Sequence, residues 1–264
     1  MQLWKSNLIA PRGVIIGADK NQEWMLDWWY NRYNQKNTLP VAICDFGLSR
    51  EGLKRAHQIG LVLDFEKDTL LKKFNQPIYP VYKPKWEAAY ARQDFEQVHS
   101  IWMLKPFAMG CTPFEQTLWL DIDCQVRCNL DSIFTYIKNA PGFTCAFDTS
   151  QFEASLKSNS IMHPDEKAYN SGVIGYKYAS QVIDLWAEEL YNHHHDYPSD
   201  QDALSRVIYK HKLPIQLLPA RFNAHSSLSQ DPSMEIIHWA HPFGKLHILD
   251  QILLDQFKEK CKCQ

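Results

Sequence analysis

Short apolar runs alternate along the chain with longer segments whose apolar residues recur at helical spacing, the pattern of an α/β sheet with crossover helices rather than of a β-sandwich. The first, residues 13–17 (GVIIG), leads through the polar turn Ala18-Asp19-Lys20-Asn21 into an aromatic helix over about 23–33, whose start Asp19 or Asn21 is expected to cap. A strand over 40–44, a helix over about 50–58 and a short apolar run at 60–63 repeat that unit. Pro77, Pro80 and Pro84, each with a fixed φ and no amide donor, predict an irregular, lid-like loop before helical spacing resumes over about 86–109. Residues 117–120 (TLWL) are continuously apolar, as a strand buried on both faces requires, and end directly in Asp121-Ile122-Asp123. The pattern then predicts a helix from about 129 to 138, strands at 142–147 and 169–176, helices at about 179–191 and 200–211, strands at 215–218 and 235–239, and a last helix over about 250–260. No repeat or linker cuts the chain, so residues 1–264 are expected to form one domain.

Charge and composition narrow the function classes. Lys plus Arg number 28 against 30 Asp plus Glu, a net charge of −2, which excludes a broad basic surface for nucleic acid or anionic membrane. With 45% hydrophobic and 13% aromatic residues the chain is neither disordered nor collagen-like. No stretch approaches the roughly 18 apolar residues of a membrane helix. Residues 1–13 lack the apolar core of a signal peptide, so a soluble, cytoplasmic protein is expected. Seven cysteines without paired C-x-x-C spacing fit a reducing compartment. The end, Cys261-Lys262-Cys263-Gln264, puts a cysteine where prenylation needs one, but Lys and Cys replace the aliphatic residues, and a plain solvated tail is expected.

In an extended chain residues i and i+2 share a side, so Asp121 and Asp123 present two carboxylates together while Ile122 faces the core. Mg²⁺ and Mn²⁺ take such oxygen ligands and complete their shell with substrate phosphate. A second D-x-D, Asp200-Gln201-Asp202, shows that the motif alone is weak; its place at the carboxyl end of an apolar strand, where open α/β sheets bind ligands, gives Asp121 and Asp123 their weight. Other candidates have blander readings. His238 alone reads as a hydrogen-bonded strand residue, His193, His194 and His195 as complements to a helix dipole, and Trp24, Trp28 and Trp29 as packing. Cys124 and Cys128 flank the acidic pair but lack the second cysteine pair of a zinc site.

Taken together, these motifs resemble the metal-dependent glycosyltransferases of the GT-A fold, most closely the family-8, glycogenin-like group of retaining enzymes, over nearly the whole chain. Residues 13–19 (GVIIGAD) are similar to that family's first strand and nucleobase-binding turn, which implies a nucleotide contact at Ala18 and Asp19. Lys105, sixteen positions before Asp121, matches a lysine directed at the nucleotide diphosphate. Leu118-Trp119-Leu120-Asp121-Ile122-Asp123, followed by Asn129-Leu130-Asp131-Ser132-Ile133-Phe134, is the most specific block. Asn170-Ser171-Gly172-Val173 resembles the segment lining the sugar pocket, and Asp200-Gln201-Asp202-Ala203-Leu204 the helix start whose first two residues face the donor sugar and the reacting carbon. Ile236-Ile237-His238-Trp239 with Gly244-Lys245 is similar to the late metal-binding histidine and the diphosphate-binding lysine. The chain departs from the family at Leu246-His247, where Pro-Trp is usual, and over residues 149–167, which have no counterpart.

The resemblance implies a GT-A-type, Rossmann-like, mostly parallel sheet flanked by helices, with a nucleotide-binding part over about 13–123 and a sugar and acceptor part over about 124–250. It implies Mn²⁺ (or Mg²⁺) held by Asp121, Asp123 and His238, a donor site formed by Ala18, Asp19, Lys105, Asp121, Ile122, Asp123, Asn170, Ser171 and Lys245, and reaction-centre roles for Asp200 and Gln201. The partners are then a nucleotide-sugar donor, UDP-linked, and a glycan, protein or small-molecule acceptor. Two carboxylates and an imidazole suit Mn²⁺ on their own chemistry, and metal and lysines placed at a departing diphosphate act where negative charge grows. Gln201 would face the positive anomeric carbon with its carbonyl and Asp200 the sugar hydroxyls, with retention; Asp200 or Asp202 acting as a general base would invert. The alternatives are a nucleotide-sugar binding protein without turnover, and a sugar nucleotidyltransferase, whose Gly-rich basic loop residues 13–21 lack.

Overall fold

The structure, a computed structural model, describes residues 7–262; residues 1–6, part of the stretch read for a signal peptide, and Cys263-Gln264, part of the tail read for prenylation, lie outside the described residues. Strand β1 (Ala10–Ala18), helix α1 (Leu26–Asn34), β2 (Val41–Asp45), α2 (Arg50–Ile59) and β3 (Leu61–Leu63) form two successive strand–helix–strand units with parallel pairing. Helices α3 (Lys67–Phe74), α4 (Lys83–Tyr90), α5 (Phe95–Trp102) and α6 (Lys105–Met109) lead to β4 (Phe114–Leu120) and β5 (Cys124–Val126). Then follow α7 (Asp131–Asn139), β6 (Phe143–Phe147), α8 (Ser150–Ser158), β7 (Tyr169–Lys177), α9 (Gln181–His193), α10 (Asp200–His211), β8 (Gln216–Leu217), β9 (Ala224–His225), β10 (Ile236–His238) and α11 (His241–Lys262).

A seven-stranded sheet in the order β3-β2-β1-β4-β7-β6-β8 organises a single α/β domain, parallel throughout except at β7, which runs antiparallel to β4 and β6. Strands β5, β10 and β9 form a second, small sheet. Both faces of the central strands are covered, which is why their sequences are continuously apolar. Val14, Ile16, Leu118 and Leu120 pack with Trp28 and Trp29 on one face, and Ile15 and Trp119 with Phe107 and Trp186 on the other. Burying each of these large side chains stabilises by roughly 1.5–3 kcal/mol.

Several local expectations are corrected. The helical stretch over 86–109 is three helices: Ala91, in the left-handed region at φ 50°, ends α4, and Pro106 sits in the first turn of α6. Pro84 opens α4 instead of belonging to a loop, because a helix's first turn has no use for its missing amide. The α4 region is docked, with Ala89 packed on Leu156 of α8 and the Ser155 hydroxyl donating to the Ala89 carbonyl at 3.1 Å. Neither Asp19 nor Asn21 caps α1; Asp19 instead accepts the backbone and side-chain N–H groups of Asn21, both at 3.1 Å. The last helix begins at His241, nine residues early, which puts Lys245 on a helix. His194 turns inward against Phe74, where burial lowers its pKa to about 4 and leaves it neutral, so it packs rather than complementing a dipole.

Candidate active site

Beyond Leu120, which pairs with Val173, the chain reverses in a tight turn, with the Cys124 amide donating to the Asp121 carbonyl at 2.9 Å. Asp121 and Asp123 therefore sit on a turn rather than on an extended strand, yet they still converge. The His238 Nε2 atom lies 3.4 Å from Asp123 Oδ1 and 3.9 Å from Asp121 Oδ2, and Ile122 is buried in the core as expected. The Trp119 indole donates to Asp121 Oδ1 at 2.8 Å, and the Asp121 amide to the Gly172 carbonyl at 2.8 Å. Gly172 is required for space, since a Cβ there would lie 2.2 Å from His238 Cε1. From α11, Lys245 reaches back to form an ion pair with Asp123.

A buried lysine joins the second group of residues. Lys105, 7% exposed, lies 3.0 Å from Asp121 Oδ1 and 3.2 Å from Asp200 Oδ2, and donates to Ser171 Oγ at 2.9 Å. Burial works against its charge, but the two carboxylates outweigh it and raise its pKa. The same balance holds at His238, where burial is overcome mainly by Asp123 and the imidazole pKa rises. At Asp123 burial is overcome by Lys245 and His238, which hold its carboxyl well below the usual range. Asp200 goes the other way, raised by burial despite Lys105.

No protein-family model matches the sequence, and no curated protein matches it. Solved structures do. The galactosyltransferase LgtC, determined with donor and acceptor sugar analogues, superposes with a TM-score of 0.57 at 14% identity, over 89% of this chain and 88% of that one. Mouse xyloside xylosyltransferase 1 gives 0.52 at 15% identity, over 87% and 97%. The glycosyltransferase GlyE of Streptococcus pneumoniae gives 0.54 at 13% identity, over 88% of this chain and 55% of that one. The fold is the GT-A fold.

On this GT-A sheet Ala18 ends β1 and Asp19 directly follows it, beside β4 and at the same carboxyl edge as the acidic turn; burial raises the Asp19 pKa against the hydrogen bonds from Asn21. Asn170 and Gln201 meet at a residue the sequence reading missed. Asp148, just past β6, accepts the Asn170 amide at 3.0 Å and the Gln201 amide at 2.9 Å on one carboxylate oxygen. The Gln201 carbonyl accepts the Ser171 N–H at 3.1 Å, so one of its lone pairs is already engaged. Asn223 is a second missed residue, donating to Asn170 Oδ1 at 2.8 Å. Neither carries a spacing signal: Asp148 stands just before the segment without a family counterpart, and Asn223 lies between two minor strands.

Asp202 is placed as a structural group. Its Oδ2 accepts the Ser199 amide at 3.1 Å, in the capping box of α10, and the Tyr90 hydroxyl at 2.5 Å. Burial, partly opposed by Tyr90 and Ser199, raises its pKa to about 7 from the ordinary 3.8. A carboxyl whose folded pKa lies above the unfolded one contributes stability in full below the unfolded value and loses it as pH rises through the folded value. Asp202→Asn cannot ionise. Its stability relative to the natural chain is therefore expected to rise between pH 5 and 8 by on the order of 2 kcal/mol, measured by urea unfolding across that range. A flat difference would mean that Asp202 is ionised throughout.

Proposed function

We propose that the chain is a divalent-metal-dependent glycosyltransferase of the family-8 kind, moving a sugar from a UDP-linked donor to an acceptor with retention. The observation that carries this is the convergence of Asp121, Asp123 and His238, with Lys105 and Lys245 beside them, at the carboxyl edge of a GT-A sheet. The galactosyl- and xylosyltransferase activities named for its structural neighbours agree with it. The residues fit Mn²⁺ or Mg²⁺: Asp121, Asp123 and His238 supply oxygen and nitrogen donors from one side, and the His238 ring is seated over Gly172. When bound, the metal would neutralise the diphosphate and make it a better leaving group.

The chain's own residues do the rest. Lys245 and Lys105 place ammonium groups where the leaving diphosphate gains charge. Asp148 and the Ser171 N–H fix both ends of the Gln201 amide, and its remaining carbonyl lone pair would face the anomeric carbon of a bound donor. Asp200 is paired with Lys105 and Asp202 is held in the helix cap, which leaves neither free as a general base and supports retention over inversion.

The test is release of free nucleoside diphosphate from a panel of UDP- and GDP-sugars, with and without Mn²⁺, followed by the anomeric configuration of the product. Metal-dependent release from one donor and a retained anomer are expected. Tight donor binding without release, with acceptors supplied, would indicate a binding protein, and an absence of binding to every donor would overturn the proposal.

A further inference from the structure

The transfer scheme leaves one group at the acidic turn without a role, the thiol of Cys124. It is fully buried on β5 and lies directly opposite His238 on β10 in antiparallel register, so the two side chains share a face. Ligand atoms of Asp123, Cys124 and His238 all lie within 4.8 Å of one another. Donors on a common tetrahedral cation, each roughly 2.0–2.3 Å from it, are about 3.3–3.8 Å apart, so side-chain rotations that close these separations by about an ångström bring the set to ligation. The thiol now donates to the Gly172 carbonyl at 3.5 Å, a weak bond that is readily exchanged. The spacing of Cys124 and Cys128 argues against zinc, but in the folded chain Cys128 turns away to Glu235, at 3.2 Å, and the partner of Cys124 is a histidine more than a hundred residues on.

We propose that Asp123, Cys124 and His238 form a site for a thiophilic divalent cation, Zn²⁺ foremost, which shares Asp123 and His238 with the Mn²⁺ set but turns from Asp121 toward the sulfur. The inference rests on reading this turn as a cation site. Hard oxygen donors favour Mg²⁺ and Mn²⁺, whereas thiolate with imidazole favours Zn²⁺. On binding, the S–H bond breaks, its proton passes to water, and the sulfur lone pair forms the metal–sulfur bond with no change of oxidation state. The two cations draw on the same carboxylate and imidazole and exclude each other, so Zn²⁺ acts as a competitive inhibitor with respect to Mn²⁺.

Co²⁺, a spectroscopic stand-in for Zn²⁺, is the probe. The full chain, reduced, titrated with Co²⁺ is expected to develop a near-ultraviolet sulfur-to-cobalt charge-transfer band. Cys124→Ala and Cys124→Ser, each checked for folding by circular dichroism, are expected to lose the band. Their Zn²⁺ affinity should fall by at least the roughly 10–100-fold that loss of a supporting group costs, while Mn²⁺ affinity read by electron paramagnetic resonance changes less than about threefold. Co²⁺ binding without the band, or a band that survives in both variants, overturns the sulfur ligation and leaves the Mn²⁺ site standing. Failure of Mn²⁺ and Co²⁺ alike to bind the natural chain overturns both readings.

Discussion

Asp123→Asn is expected to lower turnover by about three orders of magnitude while the chain stays folded, in line with the loss of a group that stabilises transition-state charge. Asp123 is the point at which the site's cations meet: it faces His238 through one oxygen and Lys245 through the other. Asparagine keeps its shape and its carbonyl but removes the charge that raises the His238 pKa and that, on the proposed function, would ligate a cation. The fold should tolerate this, because Lys245 sits on a partly exposed helix and can return to water. Asp121→Asn should act in the same direction, with one difference: its loss leaves Lys105 paired only with Asp200. Diphosphate release and Mn²⁺ titration of both variants check this, and turnover within tenfold of the natural chain in either would remove the metal set from the mechanism.

Lys105→Met should instead unfold more readily. Its ammonium is the shared counter-charge of Asp121 and Asp200, and breaking a buried pair from one side costs about 3–5 kcal/mol, because it strands the remaining charge. At roughly 2–4 °C per kcal/mol for a chain of this size, the melting temperature should fall by on the order of 10 °C. The sign with pH follows from Asp200, whose pKa burial already raises. Without Lys105 it rises further, so the deficit is small where the carboxyl is protonated and grows as pH increases. Adding Asp200→Asn to the methionine variant should restore much of the loss at neutral pH. Thermal melts of the single and double variants over pH 5–8 measure it, and equal stability of Lys105→Met and the natural chain would show that the carboxylates do not depend on this ammonium.

The buried framework was legible because its chemistry is local. Val14 to Ile16 and Leu118 to Leu120 are apolar on both faces, which only a central strand requires, and an acidic turn at the end of such a strand is visible in one dimension. What escaped depends on pairings distant in sequence. Asp148 matters through Gln201, 53 residues on, and Cys124 through its strand partner His238. Strands β5 and β9, of three and two residues, are too short for any periodicity to show. The early start of α11 rests on local fit rather than apolar spacing: Pro242 suits a helix's first turn, and Gly244 lies so close to the Trp239 carbonyl that a Cβ would stand 2.0 Å from it.

The pairing of β6 with β7 slips between Cys145 and Ala146, from Ile174 to Asn170, so residues 171–173 leave that ladder. Their backbone groups are spent on the site: the Ser171 N–H goes to Gln201, the Ser171 carbonyl to Lys105 and the Gly172 carbonyl to Asp121. A main-chain amide inside a strand is thus shielded from solvent deuterium by one glutamine side chain rather than by a neighbouring strand. Exchange at Ser171 becomes a clock for the orientation of Gln201, so the residency of that side chain can be followed in the resting protein without donor, acceptor or turnover.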